Sequence, residues 1–229
     1  MNIITGASSN HFKSLCQCVK SVLEYCENIE LIVWDFGLNE EERAKFHQDF
    51  PILLRTFDYS KYPVFYNISK NAGQYAWKSA AIEETILNKS GIVLWLDAGC
   101  KVTGCLDPLF NHIKSAGLYS NPTRGSMKQY IHPQTMSALS KKYEEYRGKS
   151  MRNGAIIGFN LDKPRIVKWF HTWRTLCDNE SIIAPPGSDR TNHRQDQALL
   201  TLTFWDLHKQ YKFNTVSEFY EVQTHCDID

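Results

Sequence analysis

From Asn2 to Gly99 the chain alternates short, unbroken apolar runs with segments of helical spacing, and it does so four times over. The runs are NIIT (2–5), ELIVWDFG (30–37), ILLRTFDY (52–59) and GIVLWLDAG (91–99). Successive Ile, Leu and Val put apolar groups on both sides of a strand, and such a strand is stable only in a sheet covered on both faces. Between the runs, Phe12, Leu15, Cys16, Val19, Val22, Leu23 and Cys26 recur at the three-and-four spacing of an amphipathic helix, which predicts a helix over 11–27 with Asn10 as its cap. NEEERAKFHQDF (39–50) opens on a capping residue and three acids, as a helix N-terminus prefers, and Pro51 ends it. Residues 72–89 read as a third helix. The expected fold is therefore α/β, a mostly parallel sheet with helices on both faces.

Ligands of such sheets bind beyond the carboxyl ends of the strands. The segments there are TGAS, DFG, DYSKY and DAGC, and three of the four carry an aspartate. The second half is less regular. Helices are expected over 106–117, 163–177 and 194–209, and strands over 118–121, 154–160 and 211–216, with a Pro/Gly-rich loop at 178–193. Residues 122–150 show no clear period. Trp169, Phe170 and Trp173 fit core packing better than a sugar platform.

A chain of 229 residues makes one large domain or two small ones. Lys and Arg total 26 against 25 for Asp and Glu, a balance that gives no reason to expect nucleic acid or a membrane surface as partner. No apolar run approaches the ~20 residues of a membrane span, so no transmembrane segment is expected. The N-terminus lacks the pattern of a signal peptide. The chain is expected in the cytoplasm, or as the trimmed lumenal part of an anchored protein. Its seven cysteines form no CxxC pair, and structural thiols are the expectation.

NAGQYAWKSAAI, GIVLWLDAGC, GAIIGFN and HRQDQALL, taken together and in this order, resemble a GT-A glycosyltransferase. NAGQYAWKSAAI and GIVLWLDAGC look more narrowly like an uncharacterised glycosyltransferase-like family of animals and large algal viruses. The resemblance covers most of residues 1–206 and implies a single Rossmann-like GT-A domain over 1–229, with a donor half at 1–105 and an acceptor half at 106–229. It implies transfer of a sugar from a nucleotide diphosphate, most readily a UDP-sugar, to a hydroxyl of a glycan or other acceptor.

On that resemblance Thr5, Gly6, Ala7 and Ser8 border the nucleotide base, and Asp35 receives hydrogen bonds from base or ribose. Gln74 and Lys78 attend the diphosphate from a helix start. Asp97 stands first in the family's Asp-x-Asp, which holds a divalent cation, Mn²⁺ or Mg²⁺, but the second acid is Gly99. Three outcomes stay open. Asp97 binds metal with a distant ligand such as His225; or it holds the ribose; or Lys78 and other basic groups neutralise the phosphates. Asp196 is the expected general base of an inverting transfer, or the sugar-orienting carboxylate of a retaining one, and Asp189 in the preceding loop is the competing candidate base. Plainer roles exist for each residue: a tight turn at TGAS, a solvated lysine, a helix N-terminal aspartate. The rival functions are a Rossmann-type methyltransferase, a nucleotidyltransferase and a catalytically inactive sugar- or nucleotide-binding domain.

Overall fold

The structure is a computed structural model and describes every residue except Arg147. Its centre is a six-stranded sheet. In chain order the strands are β1 (Asn2–Ala7), β2 (Glu30–Asp35), β3 (Leu54–Thr56), β4 (Ile92–Leu96), β6 (Leu118–Tyr119) and β9 (Ile156–Asn160). The spatial order is β3-β2-β1-β4-β9-β6. The first four are parallel, whereas β9 runs antiparallel to both β4 and β6. Two small antiparallel pairs lie outside this sheet: β5 (Lys101–Val102) with β10 (Val222–Gln223), and β7 (Pro122–Ser126) with β8 (Ser150–Arg152).

Helices cover both faces, as the apolar runs require. Ile3, Leu94 and Leu96 point to the face covered by α1 (Phe12–Tyr25) and α4 (Asp107–Ala116), through Cys18, Val22, Leu109 and Ile113. α2 (Glu40–Asp49) adds Phe46 on the same side, against Val33 and Leu15. Ile4, Trp34, Val93 and Trp95 point the other way. They pack on Ala80 and Ala81 of α3 (Ala76–Ile86), Phe170 and Trp173 of α7 (Pro164–Cys177), and Leu199 and Leu200 of α9 (Gln195–Tyr211). The short helices α5 (Met127–Tyr130), α6 (Pro133–Ala138) and α8 (Glu180–Ile183) complete the chain.

Several expectations change in detail. β1 runs to Ala7, so Thr5, Gly6 and Ala7 are buried strand residues and only Ser8 reaches the loop. A Cβ on Gly6 would lie 2.6 Å from the Trp34 carbonyl, so this glycine serves packing between β1 and β2. α1 is not capped by Asn10: a 3-10 turn, Ser9–His11, precedes it, and its N-cap, His11, makes no side-chain capping bond. α2 is capped by Asn39 as expected, and the structure adds a full capping box, Asn39 paired with Glu42. Residues 211–216 form no strand, and the last strand is β10, held on β5 by main-chain pairing. Trp169, Phe170 and Trp173 are core residues. The seven cysteines are free.

The order of strands fixes where a ligand can bind. The chain proceeds outward from β1 to β2 and β3, then returns to place β4 on the other side of β1. The connections on the two sides diverge at β1 and β4, and open sheets of this kind bind ligands past the carboxyl ends of the strands at such a reversal.

Candidate active site

Three charged side chains meet just past the carboxyl end of β4. Asp97 follows β4 directly, and its N–H donates to the Ala155 carbonyl at 2.9 Å, which ties the strand end to the start of β9. Lys78 lies in the first turn of α3, with 3% of its side chain exposed. Asp196 lies in the first turn of α9, with 6% exposed. The Lys78 Nζ is 2.8 Å from Asp97 Oδ1 and 3.4 Å from Asp196 Oδ2, and it donates to the Gly154 carbonyl at 3.0 Å. Trp95 Nε1 also donates to Asp97 Oδ1, at 2.6 Å. One ammonium thus joins two acids that the sequence separates by nearly a hundred residues.

The electrostatics follow from this burial. Two carboxylates close to one lysine leave an excess of negative charge, and dry surroundings penalise it. Burial, with help from Asp97, raises the Asp196 pKa to about 6 although Lys78 pulls it down. Burial alone would lower the lysine's pKa, but Asp196 and Asp97 outweigh it and hold the ammonium above its ordinary value. Asp196 Oδ2 has the ion-pair contact with Lys78 but no hydrogen-bond partner among the described residues. Asp97 keeps 37% of its side chain exposed, so the pair has one outward face.

The backbone before Lys78 is unusual. Asn71, Ala72, Gly73, Gln74 and Tyr75 all have φ between 48° and 58°. Each non-glycine residue held in the left-handed region costs about 1–2 kcal/mol, and such strain gathers at functional sites. Trp77 Nε1 pins the segment by donating to the Ala72 carbonyl at 2.9 Å, and a Cβ on Gly73 would collide with the Tyr66 carbonyl. The turn delivers Tyr75 beside the site, where Lys78 Nζ is 5.9 Å from its ring centroid. Arg190 reaches the same tyrosine from the segment between α8 and α9, donating to its hydroxyl at 3.0 Å; the expected loop over 178–193 is interrupted by α8.

Other expected residues are placed differently. Asp35 has a fully buried side chain. Its Oδ1 accepts from the Gly37 and Leu38 N–H groups at 2.8 and 2.7 Å, and its Oδ2 from Arg43 Nε at 2.6 Å. It shapes the turn into α2 and has no exposed face for a ribose, which corrects the expectation. Asp189 is exposed, and its Oδ1 turns back to accept from Thr191 N and Oγ1 at 2.7 and 2.5 Å. Those bonds lower its pKa, opposite to the shift at Asp196. It forms a local turn and makes no ion pair with Lys78 among the described residues. Lys78, expected to meet a diphosphate with its ammonium, spends its donors on protein acceptors. Gln74 is half-buried within the left-handed turn.

The pairing of Asp97 with His225 does not form. His225 is exposed, at φ 60°. Among the described residues the side chains able to converge on one ion are instead His11, Asp227 and Asp229, whose ligand atoms lie within 4.8 Å of one another. Asp227 belongs to the C-terminal tail and sits on Gly99: a Cβ there would lie 2.7 Å from both of its carboxylate oxygens. An imidazole and two carboxylates suit Mn²⁺ or Mg²⁺, and the acid the motif lacks is matched by one packed against the same residue. The residues present therefore fit a divalent cation. The sequence pointed to Lys78, Asp97 and Asp196, and to Tyr75 as a flank of the α3 start, but not to Trp95, Arg190 or this tail group. The acids of THCDID were the one available signal for it.

The comparisons agree on the fold. A family model described as a protein of unknown function, DUF1647, matches residues 1–83. No curated protein sequence matches the chain. The solved structure of the galactosyltransferase LgtC in complex with donor and acceptor sugar analogs is similar with a TM-score of 0.60 and 19% identity, over 99% of this chain and 87% of that one. An active-site glutamine variant of LgtC is similar at 0.62 and 18%, over 100% and 88%. The bifunctional glycosyltransferase WbbM, in its apo form, is similar at 0.56 and 11%, over 89% of this chain and 37% of that one. Strand order, helices on both faces and these likenesses give one conclusion: the chain has the fold of the GT-A glycosyltransferases.

Proposed function

We propose that the protein is a glycosyltransferase that moves a sugar from a nucleotide diphosphate donor, a UDP-sugar, to a hydroxyl of a glycan or other acceptor. The observation that carries this reading is the meeting of Asp97, Asp196 and Lys78 past the carboxyl end of β4, beside the point where the strand order reverses. Transfer develops positive charge on the sugar and negative charge on the departing diphosphate. A fixed, dry set of charges stabilises such a change because it needs no reorganisation. Asp196 Oδ2, buried against Lys78 and without a hydrogen-bond partner among the described residues, becomes the acceptor for a sugar or acceptor hydroxyl once the donor is bound. Lys78 holds both acids in place and keeps Asp196 ionised above about pH 6. Asp97 presents its outer face to the donor. A divalent cation, when bound, takes up charge on the leaving diphosphate, and His11, Asp227 and Asp229 have the chemistry to hold it. The segment between α8 and α9, resting on Tyr75 through Arg190, serves as the lid on the acceptor side.

Thermal shift with UDP, GDP, ATP and S-adenosylmethionine, each with and without Mn²⁺, tests the reading. Stabilisation by a uridine or guanosine diphosphate is expected, followed by release of that nucleotide from its sugar conjugate. Stabilisation by S-adenosylmethionine alone would replace the reading with a methyltransferase, and nucleotide binding without turnover would leave an inactive binding domain.

A further inference from the structure

We infer that the cavity formed by Tyr146 and Lys149 with the last turns of α9 is a second binding site, apart from the Lys78 cluster, and that it takes a phosphate or sulfate ester through the charge of Lys149, Lys212 and the buried Arg152. Binding there does not depend on the glycosyltransferase reading.

The cavity has a volume of about 410 Å³, within the range of small-molecule sites. Tyr146 and Trp205 give it aromatic walls for an organic body. Lys149, His208, Lys209 and Lys212 also line it, against a single acid, Glu145. His208 stands about three turns beyond Asp196, or about 18 Å along the axis of α9. The chain as a whole is nearly balanced, with 26 Lys and Arg against 25 Asp and Glu, so one sign of charge is concentrated here.

The acids nearby are already spent. Glu145 pairs with Lys209 at 2.7 Å. Asp206 pairs with Lys141 at 2.8 Å and accepts from the Tyr146 hydroxyl. The ammonium groups of Lys149 and Lys212 have neither an ion pair nor a hydrogen bond among the described residues, and Lys149 Nζ lies 4.9 Å from the Trp205 ring centroid. A helix C-terminus favours cations, which accounts for Lys209 and Lys212 at the end of α9 but not for Lys149 or Arg152.

Arg152 adds an independent sign. It is only 4% exposed and has no carboxylate within ion-pair distance among the described residues. Its Nη2 donates to the Ser120 carbonyl, and its Nε is buried without a partner. The guanidinium lies 4.2 Å from the Phe204 ring centroid and 5.6 Å from that of Trp205, against the cavity wall. His208 Nδ1 is likewise buried without a hydrogen-bond partner. Burial, Lys212, Lys149 and Arg152 push the His208 pKa down, so the three cations act at one place. A buried charge without a counter-ion is costly, and an anionic ester in the cavity offsets that cost.

Proton NMR of His208 in the intact chain tests this, the resonance being assigned by its loss in His208→Gln. Glucose 6-phosphate and glucose 6-sulfate are titrated at fixed ionic strength, and the tighter of the two identifies the ester. At least one is expected to shift the resonance saturably and to raise the pH at which it titrates, because an anion favours the charged imidazole. Lys149→Ala and Lys212→Ala are each expected to weaken that ester about fivefold or more, and Arg152→Met at least as much. Lys45→Ala, which removes the same charge from α2, is expected to bind as the parent does. The inference is overturned if neither ester shifts the resonance beyond what chloride does, or if inorganic phosphate or sulfate binds as tightly as the esters. It is equally overturned if Lys149→Ala and Lys212→Ala bind undiminished, or if Lys45→Ala weakens binding as much as they do.

Discussion

Two residues apart on one turn, the molecule arranges acids in two different ways. At Asp97, two carboxylates enclose a lysine and the group is largely dry. At Gly99, two carboxylates and an imidazole meet at the surface with no lysine or arginine between them. The buried set carries its own cation because unpaired charge in a dry interior costs several kcal/mol per ion. The exposed set can remain uncompensated because water screens it. The first arrangement fixes geometry before any ligand arrives; the second leaves charge to be balanced by what binds.

The largest effect should come from the buried set. Asp196→Asn keeps the shape and removes the base, and a loss of about 10²–10⁴-fold in turnover is expected with nucleotide binding retained. Measured kcat beside nucleotide affinity decides it; undiminished turnover would mean that Asp196 does not act on the reacting hydroxyl.

Lys78→Met removes the cation between two acids. Breaking a buried pair costs about 3–5 kcal/mol, and for a chain of this size each kcal/mol lowers Tm by about 2–4 °C. A thermal melt showing less than about 2 °C of change would erase the contrast between the two sets.

The pH dependence sharpens it further. Burial raises the Asp196 pKa to about 6, so the ionised form exists mainly above that pH. The acid limb of kcat/KM should turn near pH 6, falling about tenfold per pH unit below it. The stability sign runs the other way. The folded state holds a proton that the unfolded state releases near the ordinary aspartate value of about 4. This group's contribution to stability is therefore full below about pH 4 and is lost as pH rises to about 6. A rate profile flat down to pH 4 would show that burial does not govern the residue.

The smallest effect belongs to the rim. Asp227→Asn in the presence of EDTA should change stability by no more than about 0.5 kcal/mol, as surface substitutions do. A melt lowered as far as that of Lys78→Met would show that the tail acid is part of the core scaffold and not a ligand held in reserve.

Much of the donor half was legible. Unbroken Ile/Leu/Val runs can be satisfied only by a sheet covered on both faces, and the three-and-four spacing of Leu15, Val19 and Val22 names the face that covers it. Asn39 and Glu42 announced their helix by local chemistry alone. Lys78, Asp97 and Asp196 were singled out one by one, but nothing in their spacing said that they touch. Asp35 looked identical to Asp97 at the end of an apolar run, yet Arg43 and two main-chain amides consume it.

The sequence by itself determined the alternation of strand and helix, the two-sided burial and the aspartates at the strand ends, because each follows from patterns within about a dozen residues. Only the tertiary structure decided that β9 enters antiparallel beside β4, that Lys78 turns inward to join Asp97 and Asp196, and that Asp227 comes to rest on Gly99. Those outcomes depend on which distant segments share a neighbourhood, and the free energy of such contacts belongs to the packed chain as a whole rather than to any stretch of residues along it.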